Sequence, residues 1–137
     1  MKALDCIMLV DDDEITNFLH ESLLQDIGIA DKTIVATNGR DALSRIRQKD
    51  CRAYPELILL DINMPVMNGF DFLRAFQPMN SLLLRPSVVV MISSSNNEND
   101  VLRAVSGGAD EMIIKPLTKA KLKTIIDKYF RKPKPGG

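Results

Sequence analysis

The sequence predicts an α/β domain whose core is a doubly wound, five-stranded parallel sheet. Short apolar segments of strand length alternate with amphipathic segments five times along the 137 residues. The short segments are apolar at nearly every position, as expected for strands of a parallel sheet that is covered on both faces. Five strand–helix units are too few for the eight-stranded barrel, which needs ~250 residues. An open sheet with the strand order 2-1-3-4-5 therefore remains.

The strands are predicted where the apolar segments lie, each bounded by polar or turn-forming residues. Their predicted ranges are 6–10, 33–36, 57–60, 87–92 and 111–114. The third of these is apolar at every position, which favours a strand that is covered on both faces.

The helices are predicted between the strands, from helical spacing of apolar residues and from turn residues at the boundaries. In the first, over 14–26, the apolar residues Ile15, Phe18, Leu19 and Leu23 recur at helical spacing. Gly28 lies just past its end, where helices often stop. The other four are predicted to begin after Asn38-Gly39, near Phe70, near Glu98 and near Lys119.

One domain over residues 1–130 accounts for the chain, since 137 residues predict a single domain. Residues 131–137 contain two prolines and two glycines and are expected to form a flexible C-terminal tail. The segment 77–86 leaves two interpretations open, an extension of the third helix or an irregular connection. The expectation that Leu82, Leu83 and Leu84 are partly buried favours the extension of the helix.

Composition excludes several classes of protein. Hydrophobic residues make up 45% and charged residues 26%, which is ordinary for a globular domain. No apolar segment approaches the ~20 residues of a membrane span, and none resembles a secretory signal. The net charge of zero argues against direct nucleic-acid binding. Two distant cysteines without a Cys-x-x-Cys motif do not make a disulfide framework, so a reducing cytoplasm is favoured.

Charge is nevertheless unevenly distributed along the chain. Residues 1–31 contain eight acidic residues and one lysine, whereas residues 115–137 contain eight basic residues and one aspartate. The basic end is interpreted as a solvated helix face and tail, with a weak interaction patch for an acidic partner as the alternative.

Ionisable or hydroxyl side chains follow four of the five predicted strands. In chain order these are Asp11-Asp12-Asp13, Asp61, Ser93-Ser94-Ser95 and Lys115. In an open parallel sheet, ligands bind beyond the carboxyl ends of the strands, where these side chains are expected to meet. Each has an ordinary explanation alone, such as helix capping by Asp13 or turn formation by the serines. Their joint occurrence at neighbouring strand ends indicates a functional site.

The chemistry of these side chains points to phosphoryl transfer. Several carboxylates in one crevice repel one another, and a hard divalent cation removes that cost. Magnesium takes oxygen ligands and keeps waters that a phosphate oxygen can replace. A lysine ammonium can hold a phosphate, and a hydroxyl can donate to it. One aspartate oxygen could then attack phosphorus in line and become an acyl phosphate.

The sequence resembles the receiver domain of bacterial two-component response regulators, over about residues 5–130. The segments that carry the resemblance stand in order at the strand ends: Val10-Asp11-Asp12, Leu59-Leu60-Asp61-Ile62-Asn63-Met64-Pro65 with Gly69, Ile92-Ser93-Ser94, Gly108-Ala109-Asp110 and Ile114-Lys115-Pro116. The resemblance implies a flavodoxin-like (βα)5 fold. It also implies a regulator of the stand-alone, chemotaxis-regulator-like type.

The resemblance assigns roles to the residues that match. Asp61 is implied as the phosphoacceptor. Asp12 is implied as a direct Mg²⁺ ligand, and Asp11 as a ligand that acts partly through water. Asp61 itself and the backbone carbonyl of Asn63 complete the implied metal site.

Three further roles concern the phosphoryl group and the switch. Ser93 is implied to donate a hydrogen bond to the phosphoryl group, and Lys115 to contact it. Pro116 is implied to shape the turn through a cis peptide bond with Lys115. Members of the family often carry Tyr or Phe three residues before the lysine, whereas this chain has Met112. Methionine can change rotamer but lacks the hydroxyl of tyrosine.

The resemblance implies a cytoplasmic phosphoprotein of two-component phosphorelay signalling. A sensor histidine kinase would donate the phosphoryl group, and a downstream protein or a histidine phosphotransfer protein would receive the signal. No direct binding of nucleic acid and no membrane insertion are expected. Such a protein is not an enzyme, although it takes part in its own phosphorylation and dephosphorylation. A monomer and a phosphorylation-dependent dimer both stay open, as do the kinase, the partner and the lifetime of the phosphorylated state.

Three alternatives compete with this interpretation. A haloacid-dehalogenase-like phosphohydrolase also uses aspartates after its first strand, but Ile15 stands where that family has Thr or Val, and Asp61 would be unexplained. A flavin carrier of the same fold is disfavoured, because the acidic residues 11–14 would repel a phosphate. A receiver that acts without phosphorylation is favoured only by Met112.

Overall fold

A five-stranded parallel sheet forms the centre of the protein. The computed structural model describes residues 4–48, 54–94 and 97–130. The strands are β1 (Leu4–Val10), β2 (Ala30–Ala36), β3 (Leu57–Asp61), β4 (Val88–Ser93) and β5 (Glu111–Ile114). The helices are α1 (Glu14–Ile27), α2 (Gly39–Arg47), α3 (Gly69–Asn80), α4 (Glu98–Ser106) and α5 (Lys119–Tyr129). All strands pair in parallel in the order β2-β1-β3-β4-β5, which confirms the predicted topology.

Two hydrophobic clusters cover the two faces of the sheet. Alternate strand residues such as Met8, Ile58 and Met91 pack with apolar side chains of α2, α3 and α4. The intervening residues, such as Leu9 and Leu59, pack with those of α1 and α5. Every residue of β3 is buried, as expected for the central strand of a sheet that is covered on both faces.

Polar side chains fix the start of each helix. Five residues cap the helices by accepting a hydrogen bond from a backbone N–H of the first turn: Asp13, Asn38, Asn68, Asn97 and Thr118. Such a cap stabilises a helix by about 1 kcal/mol. At the end of α1, Gly28 adopts a left-handed conformation with φ 67°, which glycine tolerates at little cost.

The connection between α3 and β4 differs from one expectation. Helix α3 ends at Asn80, so residues 81–86 form the irregular connection that the sequence left as one of two interpretations. Leu82 and Leu84 are 86% and 103% exposed, so their expected partial burial is wrong, whereas Leu83 is half-buried as expected. The reason is a reciprocal bond. The Asn80 side-chain amide donates to the Ser87 carbonyl at 3.0 Å, and the Ser87 N–H donates to Asn80 Oδ1 at 2.7 Å. This pairing closes the connection at its base and leaves its tip in solvent.

The cysteines also differ from the sequence-based expectation. Cys6 is buried in β1 and disulfide-bonded. Sequence spacing did not indicate this, because it does not show which side chains the fold brings together. The cysteines therefore no longer argue for a reducing compartment. Cys51 and the predicted tail 131–137 lie outside the described residues.

Candidate functional site

Four charged side chains meet at the carboxyl edge of the sheet. Carboxylate oxygens of Asp11, Asp12 and Asp61 all lie within 4.8 Å of one another. Lys115 Nζ lies 3.4 Å from Asp11 Oδ2 and 3.3 Å from Asp61 Oδ1. The strand register explains the meeting, since Val10 pairs with Leu60 on the central strand, and each aspartate follows directly or ends the strand. The predicted convergence of these residues is therefore observed.

Burial and mutual charge set the electrostatics of the site. Asp11 and Asp61 are 4% and 8% exposed, whereas Asp12 lies at the surface. Burial raises the pKa of Asp61 to about 6, and the Asp11 carboxylate adds to that rise while the Lys115 ammonium opposes it. Burial lowers the pKa of Lys115, but Asp61 and Asp11 outweigh it and raise that pKa. Lys115 is therefore a firmly held cation that neutralises only part of the carboxylate charge.

The loop after β1 is fixed by hydrogen bonds at both ends. The Asp13 N–H donates to Asp11 Oδ1 at 2.9 Å, which leaves Asp11 Oδ2 facing Lys115. Asp13 accepts bonds from the Ile15 N–H and the Thr16 hydroxyl, so its predicted capping role is confirmed. From the next turn of α1, Asn17 donates its side-chain amide to the Asp11 carbonyl at 2.8 Å. Sequence analysis missed Asn17, because a polar residue of an amphipathic helix is expected on the exposed face.

The loop after β3 brings backbone close to Asp61. The Gly69 N–H donates to the Ile62 carbonyl at 2.9 Å, and a Cβ on Gly69 would lie only 2.6 Å from the Asp61 carbonyl oxygen. Glycine is therefore required there. Val66 has φ 69°, an uncommon conformation for a β-branched residue. Asn63 lies in this loop with an exposed side chain, and its carbonyl stays a predicted metal ligand.

The ends of β4 and β5 complete the site. Ser93 is 4% exposed and pairs in register with Ile114, and its carbonyl accepts from the Lys115 N–H at 2.8 Å. The Lys115–Pro116 peptide bond is cis, as the resemblance implied. Met112 is half-buried and packs against the cluster beneath α2, α3 and α4.

A second lysine, also missed by sequence analysis, secures the turn that carries Lys115. Lys121 Nζ on α5 donates to the Ile114 carbonyl at 2.6 Å and to the Pro116 carbonyl at 2.9 Å. Both carbonyls flank Lys115 in sequence. The ammonium of one lysine thus holds the backbone that presents the other.

The donor set suits a hard divalent cation. Three carboxylates meet one ammonium, so the cluster carries excess negative charge when all four groups are ionised. Carboxylate oxygens are the ligands that Mg²⁺ prefers, usually one or two per ion together with water. Asp11, Asp12 and Asp61 therefore fit such an ion by charge, ligand type and spacing.

The fold and the site define a class: a doubly wound α/β protein with an acidic, lysine-containing site at the carboxyl edge of its sheet. The response regulator receiver domain family matches residues 7–127. The chain therefore belongs to the family of response regulator receiver domains, which acts in two-component signalling.

Individual relatives agree with this assignment. The two-component response regulator ORR41 of Oryza sativa subsp. japonica is 34% identical, over 90% of this chain and 92% of that protein. The hybrid signal transduction histidine kinase L of Dictyostelium discoideum is 33% identical over 93% of this chain, which spans 7% of that kinase. A crystal structure of a two-component response regulator from Cytophaga hutchinsonii is 29% identical. It covers 94% of this chain and 98% of its own, with a TM-score of 0.81.

Each helix in the described part of the chain is too short or too polar to cross a membrane.

Proposed function

We propose that this chain is a phosphorylation-driven switch that accepts a phosphoryl group on Asp61 and then signals to a protein partner. One observation carries the proposal: Asp61 is nearly buried, its pKa is raised to about 6, and its carboxylate lies 3.3 Å from the Lys115 ammonium. At neutral pH most of Asp61 is a carboxylate that lacks a full hydration shell. Such a group is a competent nucleophile beside a fixed cation.

The proposed step is an in-line transfer from a phosphohistidine of a sensor kinase. An Asp61 carboxylate oxygen attacks phosphorus, and a new O–P bond forms as the P–N bond to the donor breaks. The donor imidazole keeps the electron pair of that bond and takes a proton from water. Lys115 neutralises charge on the transferred group, and the Ser93 hydroxyl, buried at the neighbouring strand end, donates to it.

Asp11, Asp12, Asp61 and the Asn63 carbonyl would hold the Mg²⁺ that the donor set favours. When bound, this ion supplies Lewis-acid neutralisation of the phosphoryl oxygens. Asp11 and Asp12 place carboxylate oxygens within 4.8 Å of an Asp61 oxygen, so a bound cation would relieve the repulsion among the three carboxylates. The chain is proposed to take part in its own phosphorylation and dephosphorylation without turning over an external substrate.

Exposed apolar side chains support the proposed protein partners. On α4 and β5 these are Val101, Leu102, Val105 and Ile114, and on α1 they are Ile15, Phe18 and Leu19. Contiguous exposed apolar residues mark interaction surfaces more often than chance exposure does. We assign the α1 group, beside the acidic loop, to the phosphodonor, and the α4–β5 group to the downstream protein or histidine phosphotransfer protein. The acyl phosphate would shift a two-state equilibrium, beginning at the Ser93 hydroxyl that donates to it.

Intact mass after incubation with acetyl phosphate and Mg²⁺ tests the proposal, with Asp61→Asn as the variant and Asp13→Asn as the matched control. The parent and Asp13→Asn should each gain one phosphoryl group, and Asp61→Asn should gain none. Because Asn keeps the cap at residue 13, that control preserves the loop. Equal uptake by Asp61→Asn, or uptake that does not need Mg²⁺, would contradict the proposal. Steady hydrolysis of a generic phosphate ester would favour a phosphohydrolase instead.

A further inference from the structure

Two buried asparagines make the same kind of hydrogen bond at opposite ends of the strands. Asn17 lies at the carboxyl edge of the sheet, where the strands end, and Asn80 at the amino edge, where they begin. Asn17 is 5% exposed and lies in α1, and Asn80 is 4% exposed and ends α3. Each donates its side-chain amide to a backbone carbonyl, Asn17 to Asp11 at 2.8 Å and Asn80 to Ser87 at 3.0 Å. They differ in whether the side-chain oxygen, Oδ1, also has a hydrogen-bond partner.

Asn80 uses both ends of its side chain, because its Oδ1 accepts from the Ser87 N–H at 2.7 Å. The Oδ1 of Asn17 is buried and has no hydrogen-bond partner in the described part of the chain. Leaving a buried acceptor unpaired opposes folding. Asn80 is thus accounted for by stability alone, and Asn17 is not.

The Asn17 side chain donates its hydrogen bond to the first residue of the acidic loop that follows β1. Asp11 is the first residue after β1, and its N–H still donates to the Ala36 carbonyl of β2 at 3.1 Å. Its carbonyl accepts from Asn17, and its Oδ1 accepts from the Asp13 N–H. The backbone of Asp11 is thereby held on both sides, and its Oδ2 faces Lys115 and Asp61.

From this arrangement we infer that Asn17 is a positioning residue for the divalent cation. By holding the Asp11 carbonyl it fixes the peptide between Asp11 and Asp12, and with it the directions of both carboxylates. The inference rests on the proposed function, since it concerns the same metal site. Groups that orient metal ligands typically contribute 10- to 100-fold to metal affinity. Asn17 acts through backbone, so we expect the lower end of that range.

The test compares Asn17→Ala with Asn80→Ala, which removes the same side chain at nearly the same burial. Both variants lose an amide-to-carbonyl bond, and Asn80→Ala also loses the bond that its Oδ1 accepts. Mg²⁺ affinity is measured by titration calorimetry on the metal-free proteins, and thermal stability is measured with and without Mg²⁺. We expect Asn17→Ala to bind Mg²⁺ about 10-fold more weakly. Asn80→Ala should lose stability and bind Mg²⁺ as the parent does. Saturating Mg²⁺ should restore the rate of phosphoryl uptake of Asn17→Ala to that of the parent.

Two results would overturn the inference while the proposed function stands: parental Mg²⁺ affinity in Asn17→Ala, or an equal loss of affinity in Asn80→Ala. A parent that binds no Mg²⁺ and takes up no phosphoryl group would overturn both. If Asn17→Ala fails to fold, Asn17→Ser takes its place in the same comparison. Serine removes less volume than alanine does, and its side chain is shorter than that of asparagine.

Discussion

The Asn80–Ser87 pair lies at the amino edge of the sheet, and the cluster of Asp11, Asp61 and Lys115 lies at the carboxyl edge. The two groups compensate their polar atoms differently. At the amino edge, the Ser87 hydroxyl, N–H and carbonyl are all hydrogen-bonded, to Pro55 and to Asn80. At the carboxyl edge, Lys115 is shared by Asp11 and Asp61, and Asn17 keeps an unpaired acceptor. The satisfied Asn80–Ser87 pair stabilises the fold, while the incompletely compensated charge of the carboxyl-edge cluster is available for a ligand. Departures from local consistency are expected where a protein functions.

The comparison assigns each edge a different sensitivity to mutation. Changes at the amino edge should alter the free energy of unfolding and leave phosphoryl chemistry unaffected. Changes at the carboxyl edge should alter the rate of phosphoryl uptake and the affinity for Mg²⁺. Some of them should also raise the free energy of unfolding. The following predictions could break this division.

The largest effect is expected for Lys115→Ala. Removing the ammonium that lies 3.3 Å from Asp61 should slow phosphoryl uptake about 100-fold at saturating Mg²⁺, as for loss of one stabilising donor at a charged transition state. Mg²⁺ affinity should rise, because the ammonium no longer competes for Asp11 and Asp61. Initial rates of uptake from acetyl phosphate and titration calorimetry measure the two effects.

Lys128→Ala is the control for that experiment, since this lysine also contacts a carboxylate but pairs with Glu111 away from the site. It should change neither the uptake rate nor the Mg²⁺ affinity. Weaker Mg²⁺ binding in Lys115→Ala would show that the lysine supports the metal site rather than competing with it.

At the amino edge, Asn80→Ala should lower the free energy of unfolding by about 2 kcal/mol. The substitution leaves the Ser87 N–H and carbonyl without their partner, and unpaired buried groups cost about 1–3 kcal/mol. Urea denaturation measures the change. Ser81→Ala, which removes an exposed hydroxyl on the next residue, is the control and should have little effect. A loss of phosphoryl uptake at saturating Mg²⁺ in Asn80→Ala would contradict the separation of the two edges.

A smaller effect, of opposite sign, is expected for Asp61→Asn in metal-free protein. The folded pKa of Asp61, about 6, exceeds its ordinary value of 3.8. The folded state therefore holds the proton more tightly than the unfolded state. The stability that this proton contributes is present below pH 3.8 and is lost as the pH rises through 6. Asparagine does not titrate, so the stability of Asp61→Asn lacks this pH dependence. Relative to the parent, Asp61→Asn should become more stable as the pH rises from about 4.5 to about 7.5, by about 1 kcal/mol after allowance for solvent screening.

Urea denaturation in the presence of a chelator measures the difference in free energy of unfolding between Asp61→Asn and the parent, at about pH 4.5 and about pH 7.5. Asp13→Asn is the control, because hydrogen bonds from Thr16 and Ile15 hold the pKa of Asp13 below its ordinary value of 3.8. The stability from that shift is present above pH 3.8 and is lost only as the pH falls further. Asp13→Asn should therefore differ from the parent by nearly the same amount at both values. A difference between Asp61→Asn and the parent that does not change with pH would show that burial does not oppose ionisation of Asp61.

Sequence patterns predicted the strand count, the strand order and the convergence of Asp11, Asp12, Asp61 and Lys115, because apolar strands end directly before these residues. They missed the first residues of β2, which begins at Ala30 rather than at residue 33. Asp31 and Lys32 are exposed on this edge strand, so no apolar run marks its start.

Asn17 and Lys121 were missed for another reason. Their roles depend on backbone carbonyls that tertiary structure brings to them, six residues away in one case and seven and five in the other. A side chain that binds backbone leaves no characteristic residue pair in the sequence. The roles implied for Asn63 and Ser93 stay predictions, since they concern a metal ion and a phosphoryl group.

Helical spacing also does not show which face of a helix is buried. The spacing of Ile15, Phe18, Leu19 and Leu23 predicted α1 correctly. Leu23 packs partly against the core, yet the other three are 71%, 67% and 59% exposed. The residues of α1 that are fully buried are Asn17 and Leu24, one of them polar. The exposure of Ile15, Phe18 and Leu19 supports the phosphodonor surface that we propose on α1.

The smallest effect on stability follows from this assignment. Phe18→Ser should change the free energy of unfolding by no more than about 0.5 kcal/mol, as for surface substitutions that touch no packed core. Phe72→Ala should lower the free energy of unfolding by about 3–5 kcal/mol. Phe72 is fully buried, and its ring stacks on that of Phe76 with the ring centroids 5.2 Å apart. Uptake from acetyl phosphate should be unaffected by Phe18→Ser, since a small donor needs no docking surface. A loss above about 1 kcal/mol in Phe18→Ser would mean that the ring stabilises the fold. The α1 stripe would then be part of the domain's own packing, and the carboxyl edge would lack the partner surface that its chemistry requires.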